Sequence, residues 1–268
     1  MVLILFVGEF HPGSIDKFFE KPWRVFAYDT ARDSWADLRV STPFGLRLLE
    51  AARAGAFAAV IAMPACDTFS RALGRPLPGG RPGPPVVRSF EEPYGIARKM
   101  EDPNIFSKVT EANECHLFAI AICGWVVMLG GLALYEQPEP WEGTVSVFDW
   151  QEFRDLQEQS GGDLYRTNQG CFGAPSIKPT ALWASFLLSR CIDKRLIGGA
   201  LPQVLASGEF GTSPAKAYPP AFSAAIVADL TAAWELRRQA VLSVLPLVVQ
   251  GGFRGFDSTR LEPLLKFF

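Results

Sequence analysis

The side chains able to do chemistry begin with one thiol. In Met63-Pro64-Ala65-Cys66-Asp67-Thr68-Phe69-Ser70, Cys66 stands on a proline-led turn directly after Ala56 to Ala62 (AFAAVIA), an apolar run bounded by Gly55 and Pro64. Such a run reads as a fully buried central strand. A nucleophile just past it lies at the carboxyl edge of a parallel sheet, where open α/β folds bind ligands. A lone thiol more often ends as an inert packing residue, so Cys66 gains meaning only with partners. Its neighbour Asp67 is an anion that opposes thiolate formation where its charge faces the sulfur.

Three further stretches offer partners. Leu132 to Tyr135 reads as a strand that delivers Glu136-Gln137-Pro138 to the sheet's end. A carboxylate there can serve as general acid once burial raises its pKa; a solvated turn glutamate fits the same residues. Tyr165 to Thr180 gathers basic, hydroxyl and amide groups, Lys178 among them, ahead of the β-like Ala181 to Leu188. At the start of the chain, Val2 to Val7, the glycine turn Gly8 to Ser14, a helical Ile15 to Glu20 and a second strand, Arg24 to Tyr28, end in Asp29. Nucleotide binding uses those parts: glycines let backbone approach the ligand, and the acid accepts both ribose hydroxyls. Gly8 and Gly13 have the outer spacing of a phosphate loop, but no Lys-Ser/Thr follows, which disfavours a nucleoside triphosphate. An ordinary β-α turn accounts for the same residues.

The elements that position these groups follow from periodicity and punctuation. After a second loop closed by Asp37-Leu38, Pro43 to Ala54 has amphipathic helical spacing, with Gly55 able to cap it. The strand carrying Cys66 comes next. Gly74 to Pro93 is a long Pro/Gly/Arg-rich loop, the kind that serves as lid, binding loop or linker. Arg71, Arg75, Arg81 and Arg88 make it locally positive, suited either to phosphate contact or to solvation. Thr110 to Met128 reads as a helix with Cys115 and Cys123 as packing positions. Thr144 to Phe148 with Gln151 to Gln159 reads as another β-α pair. Tyr218-Pro219-Pro220 opens a helix over Ala221 to Arg237, with Val241 to Val249 as an extension that Pro246 breaks or kinks. Repeated β-α units predict an α/β fold with a doubly wound, mostly parallel sheet and helices on both faces.

With 268 residues and 49% hydrophobic content, the chain can bury a large core, as one domain over residues 1–230 followed by a helical extension or tail at 231–268. The 26 basic and 28 acidic residues leave no global field for nucleic acid or anionic lipid, so any polyanion contact is local. Five cysteines stand far apart without a C-x-x-C pair and with only His11 and His116 beside them, so no metal site is expected. Reduced thiols point to an intracellular protein, nuclear or cytoplasmic. The apolar start lacks a basic leader and reads as a strand. Leu117 to Tyr135 is uncharged and nearly long enough to span a bilayer, but Gly130-Gly131 divides it into a buried helix and a buried strand.

Taken in order, these stretches resemble the DNA (cytosine-5) methyltransferases, S-adenosylmethionine-dependent enzymes, and in particular shortened relatives of that family. The family's Pro-Pro-Cys-Gln-x-Phe-Ser is matched by Pro64 to Ser70, its Phe-x-Gly-x-Gly by Phe6-Val7-Gly8-Glu9-Phe10 with a glycine displaced to Gly13, and its Glu-Asn-Val by Glu136-Gln137-Pro138. Its Phe-Gly-x-Pro-Gln-x-Arg-x-Arg is similar to Phe172 to Thr180. The resemblance covers roughly residues 1 to 230 and implies a Rossmann-like methyltransferase fold. It implies S-adenosylmethionine as cofactor, held by Phe6, Gly8, Gly13, Asp29, Asp37, Leu38 and Pro64. It also implies Cys66, Glu136 and Lys178 as catalytic residues. The thiolate would attack carbon 6 of a cytosine, Glu136 would hydrogen-bond the ring nitrogen, and carbon 5 would take the methyl group. The base must be flipped out or offered single-stranded.

Departures from the pattern are specific. Ala65 stands for a proline, Gln137 for the shorter amide, Ser176 for a glutamine, Lys178 for an arginine and Thr180 for a second arginine. The last removes a guanidinium fork expected at the base and glutamate. Few residues separate Thr180 from Tyr218, too few for a large target-recognition region. The expected partner is therefore DNA, including single-stranded DNA, or RNA, with recognition supplied by a partner protein or a larger polyprotein. A catalytically degenerate nucleic-acid-binding or scaffolding module is the alternative.

Overall fold

The computed structural model describes residues 1–70, 73–76, 80–174, 177–191 and 218–251. Arg71, part of the 74–93 loop, Ser176 and the tail beyond Gly251 lie outside the described residues. The elements are β1 (Val2–Leu5), β2 (Val25–Tyr28), α1 (Pro43–Arg53), β3 (Ala59–Ala62), α2 (Pro103–Met128), β4 (Leu132–Pro138), α3 (Gln151–Ser160), β5 (Asp163–Asn168), β6 (Pro179–Ala184) and α4 (Pro220–Gly251). They build an α/β fold on a six-stranded sheet in the order β2-β1-β3-β4-β6-β5. β1 to β4 are parallel, and β6 runs antiparallel to both β4 and β5. β1 has β2 on one side and β3 on the other. The chain therefore reverses its direction of build at β1, and a crevice opens there at the carboxyl ends of the strands.

Strand periodicity sorts the core into two layers. Leu3, Leu5, Val60, Ala62, Ala133 and Tyr135 face α1, α2 and α3, which contribute Leu48, Phe118, Ile122 and Phe153. Their sequence neighbours Val2, Ile4, Ala59, Ile61, Leu132 and Leu134 face the other way, onto Phe222, Ile226 and Leu230 of α4. Because side chains alternate along a strand, a sheet apolar on both faces must be covered on both. Each fully buried large side chain contributes roughly 1.5–3 kcal/mol.

Several predicted elements differ in the structure. The helical stretch Ile15 to Glu20 is a short 3-10 turn, Ile15–Phe18, without a side-chain cap. Its face of the sheet is covered by α4, against which Trp23 packs at 5.6 Å between its ring and that of Trp234. α2 begins seven residues before Thr110, because Asp102 accepts a hydrogen bond from Asn104 N and Pro103 occupies the first turn. The predicted strand Thr144 to Phe148 is absent. Ser146 and Asp149 form a reciprocal capping box that winds Val147–Asp149 into a 3-10 turn, and such local side-chain bonds compete with strand pairing. The β-like run from Ala181 to Leu188 pairs only as Pro179–Ala184. α4 continues through Pro246 to Gly251, so no break in secondary structure falls at residue 230. Leu117 to Tyr135 does split at Gly130-Gly131 into α2 and β4. Among the described residues no helix is long and apolar enough to cross a membrane.

Two glycines in the β1–β2 connection do different work. Gly8 has φ +72° and open space where a Cβ would be, whereas a Cβ on Gly13 would lie 2.0 Å from the carbonyl oxygen of Tyr218. Gly13 is thus a packing glycine that lets α4 dock, fastened further by Ser223 Oγ donating to Gly13 O at 2.7 Å. Gly13→Ala must displace backbone and is expected to destabilise by about 1–3 kcal/mol. Gly8→Ala meets only conformational strain, about 1 kcal/mol. Urea midpoints of the two variants check the order; equal midpoints contradict the docking role of Gly13.

Candidate active site

At the reversal point the ends of β1, β2 and β3 enclose a cavity of about 330 Å³, lined by Phe6, Asp29, Asp37, Leu38, Asp67, Lys108, Glu111 and Cys115 among others. Asp29 follows β2 directly, and its Oδ2 accepts a hydrogen bond from Gly8 N at 2.9 Å while Oδ1 accepts from Ala31 N at 2.7 Å. Arg32 stiffens the same loop: it donates to both carboxylate oxygens of Asp16 and to Gly8 O. Asp37 is bound by Arg39, whose Nε and guanidinium NH2 both reach it, and this hydrogen bonding holds its carboxyl below the usual range. Asp67 pairs with Lys108 at 3.3 Å across the exposed rim. With those two acids neutralised, Asp29 and Glu111 leave the cavity net negative. It suits hydroxyl donors and cations better than phosphates.

The turn carrying Cys66 is pinned on three sides. Met63 N donates to Leu5 O in the last sheet-like bond. Beyond it, Gln137 Nε2 donates to Pro64 O at 2.7 Å, and His116 Nε2 lies 3.1 Å from Ala65 O. A carbonyl only accepts, so Nε2 carries the proton and Nδ1 accepts from the Tyr135 hydroxyl at 2.5 Å. Burial first, then the Arg88 charge, push the His116 pKa down to about 3, which keeps the ring neutral in that role. Arg88 donates to Thr68 Oγ1 at 2.9 Å and stacks on Phe69 with 4.2 Å to its ring centre. Its own pKa is pushed down to about 10 by burial.

Alternation along β4 divides the labour. Tyr135 and Gln137 face α2 and hold the turn, while Glu136 between them faces α4. Ala62 and Tyr135 are the last partners of the β3–β4 pair, so Glu136 is the first residue of β4 past the end of β3, within the strand rather than at its terminus. Glu136 is 4% exposed, and its Oε2 accepts a hydrogen bond from the Tyr218 hydroxyl at 2.8 Å. Lys178, one residue before β6, sets its ammonium 4.8 Å from the centre of the same tyrosine ring. Cys66 feels this group: burial pushes its thiol up to about 11, Lys178 pulls it down, and Glu136 and Asp67 push it up. The concern over Asp67 thus has a physical basis, tempered by its ion pair with Lys108.

Cys66, Glu136 and Lys178 come together, and Phe6, Asp29, Asp37 and Leu38 line the cavity beside them. Gly8 supports Asp29 without lining the cavity, Pro64 turns its carbonyl to Gln137, and Gly13 packs against Tyr218. Thr180 is fully buried, accepting from Gln169 Nε2 and donating to Lys178 O, so its hydroxyl is engaged away from Glu136. Tyr218, His116 and Arg88 carry parts of the site that sequence reasoning did not assign. A histidine and an arginine placed among apolar neighbours were the available signals for two of them. Among the described residues no group of His, Cys, Asp or Glu could hold a metal ion. No protein-family model matches the sequence, and no curated protein matches it.

Two outcomes follow from these charges. The Cys66 alkylation rate is expected to climb about tenfold per pH unit through neutrality, without levelling before the thiol titrates near 11. Lys178→Met slows it, as peptide mapping of modified Cys66 reads out, and a plateau near neutral pH contradicts the assigned burial. For His116, the unfolded chain takes up a proton below about 6.5 that the folded chain refuses until about 3. Its contribution is therefore whole above the ordinary imidazole range and lost as pH falls through that window, by up to about 1.4 kcal/mol per unit. Urea midpoints across pH should show a shallower acid slope in His116→Gln than in the unaltered protein.

Proposed function

We propose that the chain is a Rossmann-like methyltransferase-fold protein that binds S-adenosylmethionine over the ends of β1 to β3 and methylates carbon 5 of a cytosine presented by DNA or RNA. The observation that carries this reading is the convergence of the Cys66 thiol, the Glu136 carboxylate and the Lys178 ammonium beside a net-negative cavity. The cavity residues fit the cofactor. Asp29 can accept ribose hydroxyls, Phe6 and Leu38 offer apolar walls for a purine, and the remaining acid, Glu111, favours a cation. Bound cofactor would supply an electrophilic methyl group.

The chain's own residues would do the rest. The Cys66 proton passes to the Glu136 carboxylate, and the sulfur forms its bond to carbon 6 of the cytosine. Glu136 then delivers the proton to the ring nitrogen, so the electron pair displaced by the sulfur is held as an enamine with its nucleophilic end at carbon 5. Lys178 stabilises the thiolate on the way. A thiol held near 11 is almost wholly protonated at neutral pH, which slows oxidation and stray alkylation. After methylation the carbon 5 proton would leave to water, the carbon 6–sulfur bond would break with its electron pair returning to sulfur, and the ring-nitrogen proton would pass back through Glu136 to the thiolate, restoring the aromatic ring and the free thiol.

A second reading keeps the fold without the transfer. The capture of Asp37 by Arg39, the raised thiol and the threonine at position 180 all support a module that binds nucleic acid without methylating it. Titration with S-adenosylmethionine separates the two: binding that Asp29→Asn weakens about tenfold or more supports the enzyme, and no binding at millimolar cofactor ends it. With cofactor, a 5-fluorocytosine oligonucleotide should form a covalent adduct that Cys66→Ser abolishes. An adduct that survives the change means another nucleophile.

A further inference from the structure

Two opposite charges meet one half-buried tyrosine, the ammonium over its ring and the carboxylate at its hydroxyl. Glu136 Oε2 receives the Tyr218 hydroxyl at 2.8 Å, and the Lys178 ammonium lies 4.8 Å from the centre of that ring. Among the described residues Lys178 makes no ion pair, and the phenol is the one hydrogen-bond donor to Glu136. In a low-dielectric setting, a free carboxylate and a nearby ammonium attract strongly and would close into a salt bridge unless something held them apart. Burial and the neighbouring Glu136 charge raise the Tyr218 pKa well above its ordinary value, so the hydroxyl stays a donor at any working pH. The ring itself is immobilised. It stacks on Phe222 at 5.8 Å, and the Tyr218 carbonyl fills the space left by Gly13. The threonine at 180 leaves Glu136 without the guanidinium that the resemblance leads one to expect there.

We propose that Tyr218 is a positioning residue that keeps Glu136 and Lys178 as two separate groups, one turned to the cytosine ring and one to the Cys66 sulfur. Its hydroxyl fixes Oε2 and leaves the other carboxylate oxygen for a ligand, in place of the missing arginine. The role assigned toward cytosine rests on the function proposed above; the separation of charges does not. Once the hydroxyl is gone, Glu136 pairs with Lys178 and withdraws the stronger of the two charges that act on Cys66 from Glu136 and Lys178.

The test is a double-mutant cycle on Cys66 alkylation at fixed pH, which needs neither cofactor nor nucleic acid. Tyr218→Phe keeps the ring and should slow modification about threefold to tenfold, while Glu136→Gln speeds it. Because the tyrosine acts through the glutamate, Tyr218→Phe should change nothing in the Glu136→Gln background. Additive effects, or an unchanged rate in the single variant, would overturn the proposal. A merely structural tyrosine would lower the melting temperature and, by loosening the cover over the thiol, speed modification in both backgrounds alike. Adduct formation with the 5-fluorocytosine oligonucleotide should fall with Tyr218→Phe at saturating oligonucleotide. If the unaltered protein forms no adduct, the cytosine reading fails while the alkylation cycle still decides the role of Tyr218.

Discussion

The carbonyls of Pro64 and Ala65 leave the sheet with no strand to bond them, and much of the site follows from how they are met. Proline at 64 has no N–H with which to continue the ladder beyond Met63. Left unpaired, a buried carbonyl such as that of Pro64 costs on the order of 1–3 kcal/mol, so its donor must come from a side chain, and the more exposed carbonyl of Ala65 is met the same way. Gln137 supplies one from β4 and His116 the other from α2. A histidine that donates from Nε2 needs a donor for Nδ1, and that requirement places the Tyr135 hydroxyl beside it. The turn that presents the thiol is therefore held by groups whose first duty is to satisfy backbone.

β4 turns this constraint into a division between support and chemistry. Odd positions hold the Cys66 turn from the α2 side, and Glu136, on the opposite face, meets α4. A slip of one residue in the register between β3 and β4 would exchange the two sets. The long pairing with β6, from Leu134 opposite Ala184 to Pro138 opposite Thr180, makes such a slip costly. It also carries Lys178 into place, since residues 178, 180, 182 and 184 share the face that looks toward α4.

Much of the parallel half of the sheet is legible from local signals. The run before Cys66 is apolar on both faces, Asp29 ends a short strand, and Gly130-Gly131 parts a helix from a strand. What is not legible depends on contacts distant in sequence. β5 alternates poorly, with Asp163, Arg166 and Asn168 among its residues, and becomes a strand through pairing with β6. Gly13 has the spacing of a ligand-binding glycine, yet its missing side chain is explained by a carbonyl at residue 218. Tyr218 reads as the lead-in to a helix, because nothing nearby indicates that its hydroxyl meets a carboxylate on the central sheet.

The docking of α4 sets an order of assembly. The bond from Tyr218 to Glu136 spans 82 residues and that from Ser223 to Gly13 spans 210, whereas all six strands are complete by Ala184. A nascent chain can thus pair its whole sheet while one apolar face and the carboxylate beside the thiol await their cover. Closing so long a loop comes late and draws little help from local structure. The cover serves core and candidate site together: the segment that buries the second face also brings the Tyr218 hydroxyl to Glu136, so a chain still short of it lacks both.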